Sequence, residues 1–182
     1  MPLALPLIVA TLLADGPAPA QAAKVAYYLG ESKVRNADGK PLGNLVALVK
    51  RELRPGESRI VETTLLVSSR TGEPVQEHVA VSSVKGESFT TKEQKGAFSG
   101  DGTLSGMAWA WTSWTSNTTL GAGGGALRAR SQITERGMAV DKALLAPNGA
   151  VRVTFAEDYA TIDGATYELL RAKLLPGGEG AR

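Results

Sequence analysis

The stretch Leu45–Val84, LVALVKRELRPGESRIVETTLLVSSRTGEPVQEHVAVSSV, decides the fold class. Its first two runs, Leu45 to Leu53 and Arg59 to Ser69, are rich in strand formers. Each is closed by turn residues: Arg54-Pro55-Gly56-Glu57 after the first, Arg70-Thr71-Gly72-Glu73-Pro74 after the second. The third run, Val75 to Val84, alternates, with Val75, Glu77, Val79 and Val81 on one face and Gln76, His78 and Ser82 on the other. A period of two is a strand signature, because successive side chains point to opposite faces of a sheet.

The same grammar continues outward. Lys85-Gly86-Glu87 turns the chain into Ser88–Phe98, Ser99-Gly100-Asp101-Gly102 reads as another turn, and Leu104–Thr115 carries all three tryptophans. Ala126–Glu135, Met138–Leu145 and Val151–Tyr159 follow, separated by Arg136-Gly137 and Pro147-Asn148-Gly149. Asp-Gly and Asn-Gly between strand runs are hairpin signals, since type I′ turns need positive φ. No helical pattern long enough for a crossover separates the runs, which argues against parallel βαβ units. The expectation is therefore an all-β protein of eight or more strands, an antiparallel up-and-down barrel with a two-sheet sandwich as the alternative. Ala165–Leu175 is rich in helix formers, Asp163 can cap its start and Pro176-Gly177-Gly178 stops it. A short C-terminal helix is expected there, followed by a flexible tail over residues 177–182.

At the other end, Leu3–Leu13 is an apolar run of about eleven residues, the length of a signal-peptide h-region and about half of what spans a bilayer. Ala20-Gln21-Ala22 supplies the small-residue form that a signal peptidase reads. Residues 1–22 are thus expected to be a signal peptide, residues 23–176 a single domain, and the protein exported to the periplasm or beyond. With no cysteine, the chain has neither disulfides nor a thiolate metal site, so the domain must stand on its core. The net charge of +2 is mild and the basic residues are scattered along the sequence, which gives no reason to expect nucleic acid as a partner.

In length, strand count and hairpin spacing the chain resembles the calycin group, the lipocalin-like up-and-down barrels. Such proteins often carry a Gly-x-Trp near the first strand; the counterpart here is Gly30-Glu31-Ser32, without the tryptophan. The resemblance implies a noncatalytic barrel holding a small hydrophobic ligand in its interior.

Candidate ligand contacts come from two groups of residues. Met107, Trp109 and Trp111 share a face if their strand is regular, with Trp114 on the other, and indoles combine apolar area with an N–H donor. Core packing is the alternative use of these aromatics. Three charged residues lie on otherwise apolar faces: Arg51 with Ala47 and Val49, Glu77 with Val75, Val79 and Val81, and Glu157 with Phe155 and Tyr159. If those faces line a barrel, they form a polar floor for a ligand head group, or an internal ion pair. His78, the single histidine, is placed on the solvent side of its strand. No His-Glu-x-x-His or Gly-x-Ser-x-Gly occurs, and the run from Gly121 to Gly125 lacks the Lys-Ser/Thr of a phosphate loop and reads as a connection. No cofactor is implied. Three classes stay open: a ligand-binding barrel, a structural or protein-interaction module with a filled core, and an enzyme using carboxylates at the barrel mouth.

Overall fold

The computed structural model describes residues 22–94, 98–120 and 125–175. The expected signal peptide lies almost wholly outside these residues, as do the connection at Gly121–Gly124 and the C-terminal tail. Ten strands follow one another: β1 (Lys24–Asn36), β2 (Pro41–Arg54), β3 (Arg59–Ser68), β4 (Pro74–Lys85), β5 (Ser88–Glu93), β6 (Phe98–Met107), β7 (Ala110–Leu120), β8 (Gly125–Thr134), β9 (Gly137–Leu145) and β10 (Val151–Ile162). Each pairs antiparallel with its sequence neighbours, and β1 pairs with β10 from Tyr27↔Ile162 to Asn36↔Val153, which closes the barrel. The sandwich alternative is excluded. Among the described residues the short β5 covers only Ala80–Lys85 of β4, so closure is least complete along the first half of β4.

Turn chemistry places most of the hairpins. Pro55–Glu57 forms a single 3₁₀ turn between β2 and β3. Gly72, Gly86 and Gly149 take positive φ at three further turns, as their sequence neighbourhoods predict. Two expectations fail here. Ser99-Gly100-Asp101-Gly102 is not a turn but the body of β6. Its glycines are required by close approach: a Cβ on Gly102 would lie 2.6 Å from a ring carbon of Phe89. The tryptophan segment is not one strand either. It breaks at Ala108-Trp109, where Trp109 takes φ +61° and the chain reverses from Met107 to Ala110.

The barrel carries two apolar clusters on opposite faces of its wall. Tyr28, Ala47, Val49, Met138, Val140 and Tyr159 form the inner one, joined by Leu66, Ile133 and Trp114. The outer cluster, Leu48, Leu65 and Val67, is covered by α1 (Gly164–Leu174), whose Tyr167 is 2% exposed. Asp163 caps this helix as expected, its side chain accepting from the Thr166 amide at 2.8 Å. The helix therefore docks on the outside of the wall, and the interior is left to side chains from the strands.

Candidate functional site

The inner face is defined by contacts that cross the barrel. Arg51 on β2 reaches residues on β7 and β9, which are not its sheet neighbours: its guanidinium lies 4.0 Å from the Trp114 ring centroid, and its Nη1 lies 3.3 Å from Met138 Sδ. The same guanidinium donates to Glu62 Oε2 through both Nε and Nη2. Burial pushes the Glu62 carboxyl up, and the Arg51 charge and hydrogen bonds more than reverse this, holding it below its ordinary value.

A second network sits on β1, β9 and β10. Glu157, 5% exposed, accepts from Ser32 Oγ at 3.1 Å and from Tyr159 OH at 2.8 Å, and pairs with Lys142 Nζ at 2.8 Å. Burial and the neighbouring Glu157 charge push the Tyr159 phenol far above its ordinary range, so it serves as a donor. Gly30 makes room for this arrangement. A Cβ there would meet the Tyr159 ring at 2.5 Å, so the ring lies against bare backbone.

Arg51, Glu157 and Tyr159 are thus gathered on the inner face, as their alternation predicts. The other candidate residues are not. Glu77 points outward: it stands opposite Leu65 of the helix-covered cluster and pairs with Arg171 of α1 at 2.9 Å. The face of β4 expected inside is the outer one. His78 consequently faces inward, opposite buried Thr64, and not toward solvent. Met107 is 77% exposed at the hairpin tip. Trp109 and Trp111 pack on each other at that tip, ring centroids 4.8 Å apart, because the turn at Ala108-Trp109 ends the expected strand alternation. Trp114 is the tryptophan that joins the inner cluster.

The lumen is lined by both kinds of side chain. Tyr28, Val49, Leu66, Trp114, Met138, Val140 and Tyr159 form its apolar lining. Glu62, Thr64, His78, Thr91 and Glu93 line it along β3 to β5, with Arg51, Lys142 and Glu157 as further inner charges. His78 Nδ1 is shut off from solvent and has no hydrogen-bond partner among the described residues, while Phe98 packs edge-on against the ring at 6.0 Å. Burial lowers the imidazole pKa, although Glu62 pulls the other way. Glu62 keeps 31% of its side-chain surface accessible and Lys142 28%, so space for water adjoins both groups.

Glycine at position 30 and the His78 face are features the sequence pattern undervalued. The larger of the two cavities described, about 720 Å³, is also not lined by tryptophans; it is a cleft on the outer wall spanning β6 to β10 and β1. Among the described residues no group of three His, Asp or Glu could hold a metal ion, and no helix is long and apolar enough to cross a membrane. No known protein family matches the chain, and no match is found among curated proteins or solved structures.

Proposed function

We propose that this protein is an exported, noncatalytic binding barrel of the lipocalin-like kind, whose lumen holds a small, largely apolar molecule bearing one polar group. The observation that carries the reading is His78 Nδ1, a lumen-facing polar atom hidden from solvent and without a partner among the described residues. Buried polar atoms are nearly always hydrogen-bonded, and an unpaired one costs about 1–3 kcal/mol. A polar ligand group set against His78 offsets that cost. The apolar body of the ligand then meets Tyr28, Leu66 and Trp114 of the inner cluster. Strand number supports the reading as well. An eight-strand barrel is just wide enough for side chains to fill, and ten strands enclose a wider interior.

Two measurements test this. Native mass spectrometry of the protein purified from its source should show a species heavier than the chain by the mass of one small molecule. In a W109F/W111F background Trp114 is the one remaining indole, and N-phenyl-1-naphthylamine, an apolar amine, should quench it saturably. His78→Ala should weaken that binding about tenfold, the effect of losing one buried hydrogen bond. A bare mass together with no quenching up to the solubility of the probe would mean a structural barrel, and the proposal fails.

A further inference from the structure

The outer cleft lies on the other face of the wall from the lumen. Its lining side chains come from outward-facing positions, with Lys33 and Arg35 on β1 at one end, Arg128 and Arg130 on β8 midway, and Asp101 and Thr103 on β6 at the other end. Within each pair the residues are two apart on one strand, so both cations project from the same face. β1 and β8 are separated by β10 and β9, three strand spacings or about 14 Å. Between the pairs the floor is small: Ala143, Thr154 and Ala156. None of the four cations takes part in an ion pair among the described residues. Arg130 stands opposite Asp141 in the register and still does not pair with it.

We propose that this cleft binds an acidic oligosaccharide. The volume of about 720 Å³ lies within the range of small-molecule sites, roughly 300–1,000 Å³. Guanidinium groups free of an ion pair match carboxylate or sulfate oxygens through two parallel hydrogen bonds, and Arg35, which gives Nη1 to the Gly39 carbonyl at 2.9 Å, keeps its other donors. The cleft is not uniformly basic, however, because Asp141 and Asp101 interrupt it. Those carboxylates accept hydrogen bonds from sugar hydroxyls, which a DNA backbone does not offer. Thr115, Thr103 and Asn117 add neutral donors and acceptors beside them, with the two threonine hydroxyls 2.8 Å apart. A ligand that carries both hydroxyls and spaced anionic groups suits the cations, the carboxylates and the neutral polar side chains of the lining together.

Calorimetric titration tests this with tetragalacturonate, a sulfated heparin-derived tetrasaccharide, uncharged cellotetraose, inorganic sulfate and a single-stranded oligothymidylate. At least one acidic tetrasaccharide should bind, more weakly as salt is raised, and which of the two binds distinguishes carboxylate from sulfate. R128A/R130A should weaken that binding at least tenfold while its melting transition stays at the wild-type temperature, because both residues are exposed. Cellotetraose, sulfate and the oligothymidylate should not bind. Trp114 emission in the W109F/W111F background should not respond, which separates this site from the lumen. The proposal is overturned if neither acidic tetrasaccharide binds, if R128A/R130A binds as wild type does, or if oligothymidylate binds as tightly.

Discussion

Arg51 and Trp114 touch across the full width of the barrel: β2 and β7 are five strands apart in either direction, and the guanidinium lies 4.0 Å from the indole centroid. Arg51 is also tied to Glu62, so cation, carboxylate and ring form one unit that divides the lumen. A cation over an indole is worth about 0.5–1 kcal/mol when exposed and about 2 when desolvated. Trp114→Leu removes both the ring and that contact, and a loss of about 2–3 kcal/mol is expected, short of the ~3–5 for truncating a fully buried tryptophan to alanine. Trp114→Phe keeps a ring face and should lose about 1 kcal/mol. Urea unfolding of the two variants checks the ranking, and equal losses would mean that Arg51 gains nothing from the indole.

Two carboxylates on apolar faces of their strands should behave in opposite ways. Glu157 is enclosed and holds Ser32, Lys142 and Tyr159, so Glu157→Ala strands a half-buried ammonium and a buried phenol. Removing one partner of a buried pair costs about 3–5 kcal/mol, and the partial exposure of Lys142 puts the expectation at about 3. Glu77 meets Arg171 at the surface, with about a third of each side chain open, and Glu77→Ala should cost less than about 0.5 kcal/mol. Chemical denaturation measures both, and a comparable loss at the two positions would contradict their placement on opposite sides of the wall.

Gly30 is needed for the space it leaves. Gly30→Ala places a methyl 2.5 Å from the Tyr159 ring, which must tilt away from Glu157. Overpacking of this kind costs about 1–3 kcal/mol, and the added strain on the Tyr159–Glu157 hydrogen bond puts the expectation near the upper end. Near-ultraviolet circular dichroism should show the tyrosine environment changed. An unaltered spectrum with wild-type stability would show that the ring has room elsewhere.

The strands and most of their turns were legible because both signals are local: period two within a run, and Pro, Gly or Asn-Gly between runs. What was not legible depends on neighbours. Both faces of β4 are patterned, and only its register on β3, with Thr64 opposite His78 and Leu65 opposite Glu77, decides which faces the lumen. The glycines beside Asp101 look like turn residues, but they are there because Phe89 and Thr118 lie against β6. Trp109 in a left-handed turn conformation carries no sequence cue, since glycine or asparagine is the usual occupant. The Lys33-x-Arg35 and Arg128-x-Arg130 pairs are visible as one-face cations. Their union in one cleft follows only from closure of β1 onto β10.

Acidification should weaken the barrel in two steps, read from the polar groups of the lumen. Burial lowers the His78 pKa below its ordinary 6.5, so the unfolded chain takes up a proton there before the folded one does. Stability is therefore intact above about 6.5 and falls as the pH drops below it, toward the folded value. Glu62 follows at lower pH. Burial raises its pKa, Arg51 lowers it further, and the net value lies below the ordinary 4.5, so its contribution is present above 4.5 and lost as pH falls through the folded value. His78 is the single histidine, and no other side chain ordinarily titrates between pH 7 and 5.5. Urea midpoints measured from pH 8 to pH 4 should decline from near pH 6.5, and His78→Phe should remove the upper part of that decline while leaving the part below 4.5. An unchanged decline between pH 7 and 5.5 in His78→Phe would mean that the imidazole is hydrated, and that β4 does not turn it into the lumen.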